Sequence, residues 1–223
     1  AVSSAATRGY VLDLRGHALT DDMESDKLFS TPYKPMPMEV AAVVRRATRV
    51  NFGSSENPKK VFELTAVSPN IRAASKGVPA RYWYMLPDFK SRHLPDVFLA
   101  RVNSGTPQAY LNWGRECLID ANFSTIWSQA SSKWTGNSLL AFMNSAWAQA
   151  VIEHSGSVTG GGALKVEATH LRRVPVPVLI DTQLHQLDIL GAKLAMGEGV
   201  DETKAAIDAI IATSLGCDES GTR

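Results

Sequence analysis

Basic, hydroxyl-bearing and aromatic residues occur together in several segments of this 223-residue chain. Residues 81–93 mix bases with aromatics, residues 131–134 combine hydroxyls with a cation and an indole, and residues 157–165 surround a triple glycine. Cations, hydroxyls and backbone amides contact phosphates, whereas Arg, Lys, Asn and Gln reach base edges. These residue types therefore predict contact with nucleic acid.

The candidate DNA-contacting residues carry one of these chemistries in a predicted loop or at a predicted strand end. They are Arg81, Lys90, Arg92, Arg101, Ser132, Lys133, Trp134, Ser157, Thr159, Gly161, Lys165, Arg172 and Arg173. Structural roles compete with this interpretation. The strand around Arg81 also suits a core, the glycines also suit close backbone packing, and Arg172 and Arg173 also suit ion pairs with Glu167. We expect residues 131–134 to form the base-reading loop.

Motifs for catalysis are missing from the sequence. The nearest match to the Asn/Asp-Pro-Pro-Tyr/Phe loop that holds a flipped adenine is Ser30 to Tyr33, which lacks the amide or carboxylate needed to accept a hydrogen bond. The only Glu-x-Lys, which begins at Glu202, lies in a helical pattern unlike a nuclease site. The triple glycine lacks the Gly-Lys-Ser/Thr of a phosphate-binding loop. We therefore expect no catalytic residue in this chain.

The five histidines and two cysteines form no cluster with metal-ligand spacing, so no metal site is expected. Net charge is only +1, but residues 181–223 contain eight acids and three bases. The surplus of positive charge therefore lies before residue 181, where DNA would be met. No apolar run reaches the ~18 residues of a membrane span and no secretory signal opens the chain, which predicts a cytoplasmic protein without a membrane partner.

Hydrophobic periodicity predicts short strands followed by helices. Strands are expected at 10–14, 61–67, 81–86, 97–102, 108–113 and 117–127, with Pro, Gly and Asn between them. Helices are expected at 39–49 and at 139–151, the second with Trp147 in its buried stripe, Asn137 or Ser138 as N-cap and Gly156 as C-cap. Residues 21–26 and 51–60 are predicted to be loops.

Leucines and isoleucines at helical spacing predict a closing pair of helices. Gly197 and Gly199 separate the two, and Asp201 is available to cap the second. The fold class is thus α+β, with short, mostly antiparallel strands packed against helices and a C-terminal helical hairpin. We predict a domain over 1–180, of which 1–96 stay unassigned, a hairpin over 181–216 and a tail over 217–223.

Between Leu139 and Pro177, a helix is followed by a triple glycine, a Leu-Lys-Val-Glu strand, one helical turn and Val-Pro-Val-Pro. This order resembles the C-terminal target-recognition domain of N6-adenine-specific DNA methyltransferases from restriction-modification systems. The strands before it and the hairpin after it extend the resemblance to roughly 97–216. The resemblance implies a module that binds double-stranded DNA and positions a target adenine for a catalytic methyltransferase domain, in cis or as a separate subunit. S-adenosylmethionine would bind that catalytic domain, so no cofactor is expected in this chain.

Three alternatives stay open at this point. A type I restriction specificity subunit would also bind DNA, but it would carry two copies of the module and long spacer helices. A protein-binding scaffold would use the aromatic and leucine-rich surfaces instead. An intact enzyme would transfer methyl groups by itself, which we do not expect of this chain.

Overall fold

The computed structural model describes residues 11–25 and 32–217 and shows a mixed α+β protein, as the sequence predicts. Its described strands pair antiparallel except in one parallel pair, and two long helices form the C-terminal end. The chain divides into two compact units, residues 8–88 and residues 89–223. The domain boundaries given above stay a prediction.

The first unit is built on two short parallel strands and one amphipathic helix. Strand β1 (His17–Ala18) pairs with β2 (Lys34–Pro35), while helices α1 (Thr20–Ser25) and α2 (Met38–Arg49) follow these strands. The helix predicted at 39–49 is thereby confirmed. The small core of this unit consists of Leu14, Leu19, Met36, Ala41 and Val44.

Three strands predicted for the first unit are wrong. Residues 11–14 form no strand, and Tyr10 lies outside the described residues. Residues 61–67 begin with a 3-10 turn, because the Glu63 carboxylate accepts the Lys60 N–H at 2.6 Å and closes the chain on itself. Residues 81–86 form only one bridge, between Arg72 and Arg81, since no second strand lies alongside them.

Two predicted loops of the first unit have regular structure instead. Residues 52–59 form a hairpin of β3 (Phe52–Ser54) and β4 (Asn57–Lys59), because the Ser54 hydroxyl accepts the Asn57 N–H and stabilises the turn. The acidic segment predicted as a loop is helix α1 up to Ser25, and Asp26 lies outside the described residues. Acidic residues in a first helical turn are favoured by the helix dipole, which a loop prediction ignores.

The second unit contains a three-stranded antiparallel sheet, called the central sheet below. Strand β5 (Val97–Ala100) lies between β7 (Ala109–Leu111) and β8 (Phe123–Ile126). The register places Val97 opposite both Leu111 and Ile126. The strands predicted at 97–102 and 108–113 are confirmed in their centres, whereas only the last part of 117–127 is a strand.

A second three-stranded sheet continues from the central one. Strand β10 (Leu164–Lys165) pairs with β6 (Val102–Asn103) on one side and with β9 (Ser157–Val158) on the other. The triple glycine forms the turn between β9 and β10, where Gly162 has a φ of +79° that residues with a Cβ rarely adopt. The one-turn helix α5 (Ala168–Leu171) follows β10.

The helix predicted at 139–151 is two helices, α3 (Gly136–Met143) and α4 (Ala146–Ser155). Asn144 breaks the run, because its buried side chain bonds the backbone N–H and C=O of Ala109 instead of facing solvent. The Ser145 hydroxyl then caps α4, and Gly156 ends it as predicted. This break turns Trp147 to the surface with 38% of its area exposed, so its predicted place in the core is wrong.

The N-cap of α3 also differs from the prediction. The N-cap is Thr135 instead of Asn137 or Ser138. The Thr135 hydroxyl accepts a hydrogen bond from the Ser138 N–H, and the Ser138 hydroxyl accepts one from the Thr135 N–H. This reciprocal capping starts the helix one turn before its apolar stripe, where hydrophobic periodicity gives no signal.

The predicted C-terminal hairpin is confirmed as α6 (Asp181–Met196) and α7 (Val200–Ser214). Gly197 and Gly199 are both left-handed between them, and Gly199, not Asp201, is the N-cap of α7. Gly191 on α6 faces the start of α3 so closely that a Cβ there would lie 1.9 Å from the Asn137 carbonyl oxygen. No helix in the described ranges is long and apolar enough to cross a membrane.

Candidate nucleic-acid interface

The predicted DNA-contacting residues of the second unit form two groups, one at each end of the central sheet. At one end, the Arg101 N–H donates to the Asn122 carbonyl, and Val166 N–H donates to the Arg101 carbonyl. At the other end, the Asp96 N–H donates to Ile126 and the Asp96 carbonyl accepts the Asn112 N–H. Strand β5 of four residues separates the two ends by roughly 13 Å.

The first end, called the cationic end below, is built around Arg101 and Lys165. Lys165 lies 2.8 Å from the Glu167 carboxylate, and Arg101 lies 3.5 Å from the same oxygen. The hydrogen bond from Lys165 lowers the pKa of Glu167, and the Arg101 guanidinium adds to the effect. One carboxylate is thus shared by two cations, so the pair keeps net positive charge at neutral pH.

Arg172 and Arg173 add two further cations beside this pair. Both side chains are exposed at the C-terminal end of α5, whose N-cap is Glu167. Neither side chain forms an ion pair or hydrogen bond with another described residue. The predicted alternative, pairing with Glu167, is therefore taken by Arg101 and Lys165 instead.

The glycine hairpin lies at the same end. Ser157 pairs with Lys165 across the strands, and residues directly opposite each other point to the same face. The Thr159 hydroxyl donates to the Ala163 carbonyl at 2.9 Å, which fixes the turn, and Gly160, Gly161 and Gly162 are exposed. A Cβ built on Gly161 would meet nothing within 4 Å, so close packing does not explain this glycine.

Two carboxylates lie among the four cations of this end. Glu167 is one, and Asp120, one residue before the carbonyl that accepts the Arg101 guanidinium, is the other. Asp120 is itself occupied with the backbone and side-chain N–H groups of Asn122. Among the described residues, the cationic end therefore has two more positive than negative charges. Such an excess favours contact with phosphates rather than with base edges.

The second end, called the clamped end below, is closed by a buried carboxylate. Asp96 accepts two hydrogen bonds from the Arg115 guanidinium, at 2.7 and 2.8 Å, and two more from the backbone and hydroxyl of Ser128. Burial by itself would raise the pKa of Asp96, but the bonds from Arg115 and Ser128 outweigh it and lower the pKa. Asp96 therefore stays ionised and ties three chain segments together.

A tight loop over residues 112–117, called the Trp113 loop below, stands on this clamp. The buried Asn112 side chain donates to the Cys117 carbonyl at 2.8 Å and accepts the Cys117 N–H at 3.0 Å. Gly114 and Arg115 are both left-handed, and Arg115 is the non-glycine residue with positive φ among those described, at +54°. Such a conformation costs about 1 kcal/mol or more, which the Asp96 bonds offset.

The sequence does not reveal this clamp. The predicted strand at 108–113 includes Asn112 and Trp113. The Asn-Trp-Gly sequence is also compatible with a turn, because Asn and Gly adopt left-handed conformations readily. Asp96 and Arg115 are nineteen residues apart, and only the pairing of β5 with β7 brings them together.

The other predicted residues of this unit lie near the clamped end. Lys90 precedes the 3-10 turn Ser91–His93, and Arg92 belongs to it. The Ser91 carbonyl of this turn accepts the Trp127 indole N–H. The Arg92 side chain is outside the described structure. Lys133 is exposed and pairs with Asp181 at 2.6 Å. The Ser132 hydroxyl accepts the Trp134 N–H, and the Trp134 ring packs edge-on against Phe142. Base reading by this loop stays a prediction.

Arg81 belongs to the first unit. Its side chain is largely covered and lies 3.4 Å from Asp88, while its buried Nε has no hydrogen-bond partner. Cys117 and Cys217 are free and exposed, and no group of three His, Cys, Asp or Glu side chains in the described ranges is arranged to hold a metal ion.

The second unit combines short antiparallel strands, a C-terminal pair of helices and the exposed cationic end. Residues 68–212 match the family described as the C-terminal domain of the type II methyltransferase M.Eco57I. This match covers more than half of the chain, so the chain belongs to that family. The resemblance to the C-terminal domain of an adenine methyltransferase is thereby confirmed, and DNA recognition stays a prediction. A comparison with curated proteins finds no significant match.

Proposed function

We propose that this chain is the DNA-recognition part of a type II adenine-specific DNA methyltransferase. It binds double-stranded DNA at the cationic end and positions a target adenine for a catalytic domain that carries S-adenosylmethionine. Methyl transfer belongs to that domain, because the chain supplies neither a loop for the methyl donor nor a carboxylate or amide for the target amino group. We expect the protein to act in the cytoplasm.

The observation that carries the proposal is the unpaired charge of Arg172 and Arg173 beside the Arg101–Lys165 pair. An exposed cation without a carboxylate partner can bind a phosphate without first breaking an ion pair. Its binding releases the counterions that were condensed on the DNA. Together with Arg101 and Lys165, which share the single carboxylate of Glu167, these two arginines place four cations on adjacent short elements, as the repeated charge of a DNA backbone requires.

The glycine hairpin adds neutral contacts to these charges. Exposed glycines let a phosphate approach the backbone amides, and the Ser157 hydroxyl lies on the same face as the Lys165 side chain. Hydroxyls and amides fix the register of a duplex without reading its sequence. We therefore assign the cationic end to positioning.

The test replaces Arg172 and Arg173 together by alanine and measures binding of the 223-residue chain to a fluorescent duplex by anisotropy. Loss of two phosphate contacts should make the negative slope of log K against log salt shallower by about 1.8 and weaken binding roughly thirtyfold near 0.15 M salt. The matched control replaces Lys193 and Lys204, two lysines of the terminal hairpin, by alanine and removes the same net charge.

An equal loss in both double variants would mean that only net charge matters and would contradict a located interface. Binding that ignores salt, or no binding at low salt, would instead favour the protein-binding scaffold. Uptake of labelled methyl groups by the chain alone would favour the intact enzyme.

A further inference from the structure

Trp113 is the most exposed tryptophan of the described chain, and its side chain, like that of Trp147, forms no hydrogen bond or ring contact with another described residue. Its exposed fraction is 61%, against 41% for Trp127 and 38% for Trp147. Trp127 donates its indole N–H to the Ser91 carbonyl, and Trp134 packs on Phe142. A single exposed tryptophan is ordinary on a protein surface, so exposure alone says little.

The support beneath Trp113 is not ordinary. The Asn112 side chain before it bonds the Cys117 backbone, and the Arg115 side chain after it bonds the buried Asp96. Arg115 is held in a left-handed conformation that L-residues rarely adopt, and such outliers persist only where the surroundings enforce them. A stiff loop thus presents a large flat side chain to solvent, which lowers the entropy lost on binding.

We propose that Trp113 stacks on a nucleobase that is unpaired in the DNA bound by this chain. The inference rests on the proposed function and adds a base-contacting residue to it. An indole has one hydrogen-bond donor and a wide π-face, so it reads base edges poorly and stacks on base faces well. Paired bases inside a duplex have both faces covered by their neighbours, and a base taken out of the stack leaves a face free.

The distance between the two ends of the central sheet is compatible with one duplex. The roughly 13 Å length of strand β5 is close to the width of about 12 Å of the DNA major groove. Phosphates held at the cationic end would therefore leave a base within reach of the clamped end. The nearby cation, Arg115, is neutralised by Asp96, so the Trp113 loop has the chemistry of a stacking contact rather than a phosphate contact.

The experiment compares two duplexes of one sequence, one fully paired and one with a single unpaired adenine opposite an abasic site. We expect the wild-type chain to bind the second duplex roughly tenfold more tightly, in line with one base–aromatic stack. Trp113→Ala should abolish this preference and Trp113→Phe should restore part of it. Trp147→Ala, which removes another exposed tryptophan, should keep it.

A second readout does not depend on the alanine variant folding. Tryptophan fluorescence of the wild-type chain should be quenched more by the duplex with the unpaired base, and this extra quenching should be missing in Trp113→Phe.

The proposal is overturned if the wild-type chain binds both duplexes equally, or if Trp113→Ala keeps the wild-type preference. In either case, salt-dependent binding of the paired duplex leaves the proposed function standing. If neither duplex is bound at low salt, both proposals fail together.

Discussion

The two ends of the central sheet carry similar residue types but differ in how these residues are paired. At the clamped end, Asp96 accepts four hydrogen bonds, two from the Arg115 guanidinium and two from Ser128. At the cationic end, one carboxylate serves Arg101 and Lys165, and Arg172 and Arg173 have no partner in the described chain. Pairing therefore separates residues that hold the fold from residues that can hold DNA.

The same difference in pairing changes which sequence segments are the better candidates for DNA contact. The loop predicted to read bases, residues 131–134, has its lysine paired to Asp181 and its indole on the core. The exposed cations without an ion pair among the described residues, Arg172 and Arg173, lie at the end of α5. A cation in a sequence is evidence for binding only after its possible partners in the fold are known.

The largest loss of stability should come from a side chain added where α6 approaches the start of α3 most closely. Gly191→Ala would put a Cβ 1.9 Å from the Asn137 carbonyl oxygen, at the start of the helix whose Gly136 packs on Asp96. We expect a loss of about 3 kcal/mol in the free energy of unfolding, measured by urea denaturation. Gly161→Ala in the hairpin of the cationic end is the control, because its Cβ meets nothing and its φ is not positive. Equal losses in both would contradict the account of α3–α6 packing.

The next effect concerns the charge of Asp96. Asp96→Asn should cost about 2 kcal/mol at neutral pH, since it weakens hydrogen bonds to a charged group. Because the folded pKa is lowered, this contribution is complete above the unfolded value of about 3.9 and is lost as the pH falls through the folded value.

Unfolding curves of the wild type and the Asn variant should thus converge in acid and run parallel above about pH 5. Glu153→Gln on α4 is the control, because the Glu153 side chain is exposed and forms no ion pair with another described residue. A stability difference between wild type and Asp96→Asn that stays constant down to pH 2 would contradict the clamp.

A smaller effect isolates the backbone strain at Arg115. Arg115→Ala and Arg115→Gly both remove the guanidinium that bonds Asp96, but only glycine adopts the left-handed conformation without strain. We expect the glycine variant to be more stable than the alanine variant by about 1 kcal/mol. Thermal unfolding of the two variants side by side measures the difference, and an alanine variant of equal or greater stability would show that φ carries no cost there.

The smallest effect tests the shared carboxylate of the cationic end. Glu167→Gln frees Lys165 and Arg101 from their partner while it leaves their side chains in place. We expect duplex affinity to rise roughly threefold at moderate salt, since the net positive charge near the phosphates grows by one. The same change at Glu153, an exposed carboxylate on α4, is the control. A fall in affinity would place Glu167 among the groups that contact DNA.

The fold could be predicted where the signal is local and long. The C-terminal hairpin and α2 follow from hydrophobic spacing, and the strands at the centre of the second unit follow from their apolar runs. The break at Asn144 could not be predicted, because it depends on the Ala109 backbone 35 residues away. Aromatic residues at 81–86 look like a strand, but without a neighbouring strand they pack on one another.

The candidate site was predictable in its residue types and not in its grouping. Charge alone predicts Arg101, Lys165, Arg172 and Arg173 as DNA-contacting residues, and their proximity results from the pairing of β10 with β6. The clamp and Trp113 were missed, because Asp96 and Arg115 carry no motif and meet only after the sheet forms. Which residues contact DNA stays a prediction.

The central claim is that the cationic end holds a DNA backbone, and the salt dependence of duplex binding tests it most directly. The association constant of the wild-type chain for a short duplex is measured at several salt concentrations between about 50 and 300 mM. Three to four phosphate contacts predict a slope of log K against log salt of about −3. A slope near zero, or no binding at the lowest salt, would contradict the account.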